Sequence, residues 1–268
     1  MHSRQEKLEA MGRLLDIMQA LREKCPWNRA QTTESLRPMT LEEVYELSDA
    51  VLHEDYEALS KELGDVLLHI VFYSRIAEEE GRFDFADVAE KVSDKMVYRH
   101  PHVFSDTEVS DADDVSKNWE MLKTKEKGGN RRVLSGVPDS LPSILKAFFM
   151  QDKTHGVGFD WQEKEGVWEK VDEEMGEFRR ALVNMGDSPD EAAKDKAEME
   201  LGDLLFTIVN ASRLYGLDPD TALNRSCDKF RRRFTYIEEQ TIRKGKLLSG
   251  MSLREMDALW EEAKQKGL

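Results

Sequence analysis

Residues 62–72 read ELGDVLLHIVF, and residues 200–210 read ELGDLLFTIVN. Seven of the eleven positions are identical when the two stretches are aligned without a gap. In both stretches apolar residues recur three and four positions apart, which places them on one face of an α-helix. Sustained alternation of apolar and polar residues, the pattern of a half-buried strand, is scarce along the chain. The sequence therefore predicts an all-α fold in which one amphipathic helix occurs twice.

The repeat extends beyond this helix in both directions. Three further motifs occur twice, and all four matches keep the same order along the chain. The upstream match is EEVYE at 42–46 with EEMGE at 173–177, and the downstream matches are Asp94-Lys95 and Arg99 with Asp228-Lys229 and Arg233, then Trp119 and Lys123 with Trp260 and Lys264. Self-similarity of this kind indicates a duplicated domain.

The segment between the two halves has the composition of a loop. Residues 128–142 contain a Gly-Gly pair and two prolines, which is typical of a linker. We predict an N-terminal helical domain at residues 1–127, a linker at 128–142 and a C-terminal helical domain at 143–268. Pro26, Pro38 and Pro101 are expected at helix boundaries.

Composition limits the partners of the chain. The 268 residues carry a formal net charge of −15, which would repel the phosphates of long nucleic acid. A small polyphosphate can still bind if metal ions neutralise the carboxylates. Two cysteines are too few for a disulfide framework, and no run approaches the roughly 18 apolar residues of a membrane span. We expect a soluble, cytoplasmic protein that binds neither a membrane nor long nucleic acid.

Acidic motifs in each half carry the candidate chemistry. Residues three apart lie on one face of a helix, so Glu43 points the same way as Glu46, and Glu62 the same way as Asp65. The corresponding set in the second half is Glu174, Glu177, Glu200 and Asp203. Four neighbouring carboxylates repel one another unless a cation lies between them, and magnesium is the usual choice where phosphates complete its coordination. The alternative is that these acids form two solvated helix faces. The same set of acids occurs in both halves beside the most apolar helices of the chain, which disfavours this alternative.

Two glycines recur between these acids. Gly64 and Gly202 occupy the same position of the repeated motif. A glycine inside a helix costs about 0.5–1 kcal/mol relative to alanine. We therefore expect another helix or a ligand to approach the backbone closely at these two positions.

Basic and aromatic residues follow the acidic motifs. Lys229 and Arg233 are four apart and share a helix face, as do Lys95 and Arg99. Cations next to a magnesium–carboxylate site suit the oxygens of a polyphosphate, although ion pairs with surface acids would also explain them. The two tryptophans of the repeat are candidates for stacking on a base or for the core. They are Trp119, with Lys123 nearby, and Trp260, with Lys264 nearby.

The combined motifs resemble a known family. EExxE followed by ExxD, twice, with CPWN at 25–28 and VGFDW at 157–161, is similar to the MazG nucleoside triphosphate pyrophosphohydrolases of bacteria in their tandem two-domain form. The resemblance covers nearly the whole chain. It implies an all-α bundle, usually a homodimer, that needs Mg²⁺ (with Mn²⁺ as a substitute) and cleaves between the α- and β-phosphates of NTPs and dNTPs with broad tolerance.

The resemblance also implies roles for individual residues. The second and third glutamates of EExxE and both acids of ExxD would hold the metal in each half, namely Glu43, Glu46, Glu62 and Asp65, and Glu174, Glu177, Glu200 and Asp203. Glu173 would orient the attacking water and Lys170 would reach a phosphate. Lys229, Arg233, Trp260 and Lys264 would bind the nucleotide. In the first half Lys95, Arg99, Trp119 and Lys123 would bind it more weakly.

The two halves differ after the shared basic pair. Arg99 is followed by His100-Pro101, which predicts a helix end, whereas the helix around Arg233 is expected to continue. We therefore expect the C-terminal half to hold the main catalytic site. Two other functions fit the sequence, a pyrophosphatase restricted to one noncanonical or deoxy-nucleotide, and a non-catalytic nucleotide-sensing or protein-binding scaffold.

Overall fold

The computed structural model describes residues 1–107, 109–111, 114–115, 118–119, 122, 132–186, 189–243, 245 and 247–268. Every regular element in these ranges is helical, which confirms the predicted all-α fold. The chain divides into two compact units, Met1–Lys123 and Thr124–Leu268. The predicted domain bounds and linker stay a prediction. No described helix is both long and apolar enough to cross a bilayer.

Unit 1 is built around two packed helices that carry its acidic motifs. Its helices are α1 (Arg4–Lys24), α2 (Pro26–Ala30), α3 (Thr33–Leu52), α4 (Tyr56–Glu79), α5 (Phe85–Arg99) and α6 (Pro101–Phe104). Helix α3 packs along α4, and α1 and α5 also contact α4. The centre of the core consists of Met18, Leu36, Val71, Phe72 and Ile76, all at most 5% exposed. The apolar half of the repeated helix thus fixes the position of its acidic half.

Unit 2 repeats this arrangement with longer downstream helices. Its helices are α7 (Ser143–His155), α8 (Val167–Met185), α9 (Glu191–Leu214), α10 (Pro219–Arg243) and α11 (Leu253–Gln265). Helix α8 packs along α9, α7 lies against α9, and α10 pairs with α11. A short 3-10 helix at Val133–Gly136, within the predicted linker, contacts α7. The acidic motifs of unit 2 lie on the packed pair α8 and α9.

The acidic helix of each unit begins at a side-chain cap. Asp55 accepts hydrogen bonds from the backbone N–H groups of residues 57 and 58 at the start of α4. Asp190 accepts one from the N–H of Ala193 at the start of α9. Such caps satisfy N–H groups that have no partner within the helix, and each contributes about 1 kcal/mol.

One local expectation is wrong, and one of the two alternatives in another is not met. Pro38 lies inside α3 rather than at its boundary, because Leu36 and Met39 on either side pack into the core and keep the helix continuous. A Cβ added at Gly64 or Gly202 would meet no described atom within 4 Å, so no other helix of the described chain approaches there, and close approach by a ligand stays a prediction. Pro101 does begin a new helix directly after α5, as predicted, whereas α10 continues ten residues past Arg233 to Arg243.

Candidate metal and nucleotide site

In unit 1, α3 and α4 bring three predicted metal ligands together. One carboxylate oxygen each from Glu43, Glu62 and Asp65 lies within 4.8 Å of the others. Glu62 is only 6% exposed, and its Oε2 has no hydrogen-bond partner among the described residues. Burial and the nearby charge of Asp65 raise the pKa of Glu43. A buried carboxylate with an unpaired oxygen is costly, and a cation would satisfy it.

A lysine approaches this cluster from α4. The Lys61 Nζ lies 2.8 Å from the Glu62 Oε1, 3.7 Å from the Asp65 Oδ2 and 4.0 Å from the Glu46 Oε2. The hydrogen bond to Glu62 raises the pKa of Lys61. Glu46, the fourth predicted ligand, is exposed and does not join the group of three. Lys61 therefore supplies part of the counter-charge that the sequence led us to expect.

In unit 2 the corresponding cluster lies between α8 and α9. Oxygens of Glu174, Glu177 and Glu200 lie within 4.8 Å of one another. Glu174 is 5% exposed, and its Oε2 has no hydrogen-bond partner in the part of the chain that the structure describes. Asp203, the fourth predicted ligand, is exposed and lies outside this group, but it lines a cavity next to Glu174. The ligand roles of Glu46 and Asp203 stay predictions.

Lys170 lies at the unit 2 cluster. Its Nζ is 2.8 Å from the Glu174 Oε1 and 3.2 Å from the Glu173 Oε1, and hydrogen bonds to these two groups raise the pKa of Lys170 well above its usual value. In the alignment of the two repeats, Lys170 corresponds to Met39, and Lys61 corresponds to Met199. Each unit therefore holds one lysine against its most buried glutamate, but the two lysines come from opposite helices of the packed pair.

Both clusters fit a divalent cation. Each offers hard carboxylate oxygens, the donors that Mg²⁺ and Mn²⁺ prefer. Each also contains a buried glutamate, Glu62 or Glu174, with one oxygen unpaired among the described residues. The residues that would hold the ion are Glu43, Glu62 and Asp65 in unit 1, and Glu174, Glu177 and Glu200 in unit 2.

The predicted nucleotide residues form a separate group in unit 2. The Arg233 guanidinium lies over the Trp260 ring, 5.4 Å from its centroid, and its Nε donates to the carbonyl of Leu268 at 2.8 Å. Lys264 forms an ion pair with Glu261 at 2.9 Å. Lys229 lies on α10 with Arg233. None of these four residues lines the cavity beside Glu174.

Unit 1 repeats the arginine–tryptophan pair. The Arg99 guanidinium lies 5.0 Å from the centroid of the Trp119 ring, and Lys95 precedes Arg99 on α5. Lys123 lies outside the described residues. The pairing of Arg with Trp in both units is a further product of the repeat, and its role towards a nucleotide stays a prediction.

A cavity of about 870 Å³ opens beside the unit 2 cluster. Lys170, Glu174 and Asp203 form one part of its wall, and the VGFDW segment and helices α7 and α9 form most of the rest. Among the lining residues that sequence reasoning missed are Gln151, Asn210 and Arg213. Apart from Lys170, Glu174 and Asp203, the sequence signal for this wall was VGFDW, since Asp160 and Trp161 belong to it.

A buried ion pair holds this wall in place. The Arg213 Nη2 lies 2.6 Å from the Asp160 Oδ1, and the two side chains are 9% and 11% exposed. The His155 Nδ1 lies 2.6 Å from the other Asp160 oxygen. Burial alone would raise the pKa of Asp160, but the hydrogen bond from Arg213 and one from the N–H of Trp161 bring it below its usual value. The charges of Arg213 and Asp160 in this wall are therefore already paired.

The described part of the chain is all-α, and each of its two units places a partly buried carboxylate cluster across a packed helix pair. This fold and this set of oxygen donors are those of a helical metalloenzyme. The MazG nucleotide pyrophosphohydrolase domain matches residues 31–104 and 162–237. The chain belongs to this family, which confirms the resemblance seen in its motifs, and it is a hydrolase that acts on phosphoric anhydrides.

Similar proteins match over most of the chain. It is 40% identical to the nucleoside triphosphate pyrophosphohydrolase of Escherichia coli K12 over 267 residues, 96% of this chain and 98% of that protein. It is also 40% identical to the nucleoside triphosphate pyrophosphohydrolase/pyrophosphatase MazG of Thermotoga maritima over 256 residues, 94% of each. The protein YabN of Bacillus subtilis is 46% identical over 242 residues, 90% of this chain and 48% of YabN.

Proposed function

We propose that this protein hydrolyses nucleoside triphosphates to nucleoside monophosphate and pyrophosphate, using Mg²⁺ or, in its place, Mn²⁺. The observation that carries the proposal is Glu174, buried in a group of three carboxylates with one oxygen unpaired among the described residues, at the wall of a large cavity. Family membership favours this hydrolase over a non-catalytic scaffold. We place the enzyme in the cytoplasm and expect broad action on ribo- and deoxyribonucleotides.

The chain's own residues have distinct tasks in this reaction. A bound divalent ion would offset phosphate charge and lower the pKa of an attacking water. Glu174, Glu177 and Glu200 would hold that ion, with Asp203 completing the set when substrate is bound. Glu173 is exposed beside them and is suited to accept a hydrogen bond from the water and so orient it. No covalent nucleophile is needed.

Lysine and arginine side chains would meet the negative charge of the triphosphate. Once a cation takes over the neutralisation of Glu174, Lys170 can turn its ammonium to a phosphate oxygen, since its side chain is 39% exposed. Lys229 and Arg233 would offset charge on the leaving pyrophosphate. Trp260, next to Arg233, and Lys264 would also meet the nucleotide, and Lys95, Arg99, Trp119 and Lys123 would be the counterparts of this group in the first half.

The cavity beside Glu174 supports unit 2 as the main catalytic site. Unit 1 keeps a carboxylate cluster, but its counter-charge comes from Lys61, on the other helix of the pair. We propose that unit 1 binds a cation and contributes less to turnover.

A homodimer is also proposed. Leu201, Leu205 and Ile208 on α9 are 37%, 54% and 40% exposed and form one apolar stripe at helical spacing. An exposed apolar stripe of this kind is typical of an interaction surface. A second copy of the chain would bury it.

Pyrophosphate release from a panel of NTPs and dNTPs, with magnesium and then with EDTA, tests the proposal. Magnesium-dependent release with monophosphate as the co-product is expected. Release from one nucleotide alone would replace broad specificity by the restricted activity. Binding of nucleotides with no turnover in magnesium by the folded protein would contradict the proposed reaction.

A further inference from the structure

The cavity beside Glu174 has an unused hydrogen-bond acceptor in its wall. Gln151, on α7, is 6% exposed, and its Nε2 donates to the carbonyl of Phe206 at 2.8 Å. Its Oε1 is buried and has no hydrogen-bond partner among the described residues. A buried amide oxygen without a donor is unfavourable, and most such groups in proteins are satisfied. A ligand N–H or O–H in the cavity would satisfy this one.

Asn210, on α9, supplies the complementary group. Its Oδ1 accepts hydrogen bonds from Arg213, with distances of 2.9 Å from Nη2 and 3.2 Å from Nε. The acceptor of this amide is therefore in use, which leaves its Nδ2 as the group that can donate to a ligand. Arg213 is itself paired with Asp160. This region therefore offers a neutral acceptor and a neutral donor beside charges that are already paired.

Aromatic rings line the same cavity. The side chains of Phe159, Trp161 and Phe206 are 78%, 41% and 44% exposed. The Trp161 ring lies 3.3 Å from where a Cβ on residue 166 would stand, so Gly166 gives the ring its room. Exposed rings beside amide side chains suit a flat heterocycle, which can stack on the rings and use its edge for hydrogen bonds.

The charged end of the cavity fixes the direction of such a ligand. Lys170, Glu174 and Asp203 lie in the wall together with Gln151 and Asn210. Asp203 and Asn210 are seven residues apart on α9, which is about 10 Å along the helix axis. A molecule that spans this distance in the cavity thus meets metal-binding carboxylates near Asp203 and an uncharged amide near Asn210. A nucleotide has this division between its phosphates and its nucleoside.

We infer that the cavity formed by α7, the VGFDW segment and α9 binds the nucleoside part of the substrate, and that Gln151 and Asn210 determine which nucleosides are accepted. The inference rests on the proposed function and deepens it. It differs from base stacking on Trp260, which lies outside this cavity. Trp260 is half-buried and packs against Phe230, with ring centroids 5.2 Å apart.

The test compares three variants of the full chain. Gln151→Met removes the amide at similar volume. Gln19→Met is the matched control, because the pair Met18-Gln19 in unit 1 repeats Met150-Gln151, and Gln19 is exposed and bonded to Glu23. Trp260→Leu examines the rival stacking site. The values of kcat/KM for ATP, GTP, CTP and UTP are measured for each variant with magnesium.

The inference predicts a change in selectivity. Gln151→Met should alter the ratios of kcat/KM among the four nucleotides by about tenfold, the effect of one buried neutral hydrogen bond, while Gln19→Met leaves the ratios unchanged. A drop by the same factor for all four nucleotides would show a merely structural role and overturn the inference. A change in the ratios with Trp260→Leu alone would overturn it as well.

Binding of nucleosides separates this inference from the proposed reaction. Adenosine, guanosine, cytidine and uridine are titrated in EDTA and followed by saturation-transfer NMR, with at least one expected to bind the wild type and to be lost in Gln151→Met. Such binding without hydrolysis of any NTP would refute the reaction and keep the cavity assignment. Hydrolysis without nucleoside binding or altered selectivity would refute the assignment alone. If Gln151→Met does not fold, Asn210→Leu carries the same expectations.

Discussion

Replacing Arg213 by methionine should destabilise unit 2 by about 3 kcal/mol, because it leaves Asp160 as a buried charge without its main partner. Removing one member of a buried ion pair costs about 3–5 kcal/mol. The lower end applies here, since Asp160 keeps the His155 Nδ1 at 2.6 Å and the backbone N–H of Trp161 at 2.9 Å. The measurement is the free energy of unfolding from urea denaturation, followed by circular dichroism.

Two further variants make this prediction refutable. Arg243→Met is the matched control, because Arg243 pairs with Glu239 at 3.7 Å with both side chains more than half exposed, and such pairs contribute about 0–1 kcal/mol. The double change Arg213→Met with Asp160→Leu should recover most of the lost stability, since no buried charge then remains. A loss below about 1 kcal/mol in the single variant would refute the reasoning, as would a double variant no more stable than the single one.

The same pair predicts how stability depends on pH. Asp160 has a lower pKa in the folded protein than its ordinary value of 3.8. Its stabilising contribution is therefore complete above that value and is lost as the pH falls through the lowered pKa. Without Arg213, burial raises the pKa of Asp160, so the variant protonates this group at a higher pH than the wild type does. The difference in unfolding free energy between wild type and Arg213→Met should accordingly be largest at neutral pH and shrink as the pH falls towards about 4 and below. A difference that stays constant down to about pH 3 would contradict the assignment to Asp160.

Three other outcomes are expected. Glu174→Gln should reduce pyrophosphate release to background with helix content unchanged by circular dichroism, whereas Glu43→Gln should keep at least about half of the wild-type rate of release. A larger loss of release in Glu43→Gln than in Glu174→Gln would make unit 1 the main site. Lys170→Met, which installs the residue found at the matching position of unit 1, should lower kcat/KM about tenfold, and Lys61→Met should lower it by less than twofold; equal losses would show that both lysines act alike. Leu205→Glu should convert a dimer to a monomer in light scattering, and an unchanged mass would remove the α9 stripe as the interface.

The backbone architecture could be predicted because it depends on local patterns that occur twice. The acids of ELGD and the apolar residues after them are on the same helix, so spacing alone places them. Glu43 and Glu62 come together because α3 packs along α4 through the apolar faces that the sequence displays. Pro38 was misplaced because core packing on both sides of it outweighed its local preference.

The composition of the cavity could not be predicted in this way. Gln151 and Arg213 lie on different helices, and nothing in their local sequence distinguishes them from surface residues. They become buried only through the packing of α7 on α9. For Asp203 the position on the helix could be predicted, but its distance from Glu174, Glu177 and Glu200 could not. That distance depends on how two helices pack and not on residue spacing within one helix.

The two units have kept their acids and changed the residues that surround them. In unit 1 the Thr40 Oγ1 lies 2.7 Å from both the His69 Nδ1 and the Tyr73 hydroxyl, and His69 is 8% exposed. The repeat alignment places Val171, Thr207 and Ala211 at these positions in unit 2, so the second copy lacks this network.

The lysine next to the most buried glutamate also differs, since it is Lys61 on α4 in unit 1 and Lys170 on α8 in unit 2. These two differences indicate that the two copies are under separate constraints. Glu62 is buried, and one of its oxygens is unpaired among the described residues. Replacing a buried polar group by an apolar one of similar shape is close to neutral or stabilising. A unit needed only for folding would therefore have little reason to retain Glu62. The retained glutamate thus favours cation binding in unit 1, while the changed neighbours favour a task there that differs from the one performed beside Glu174.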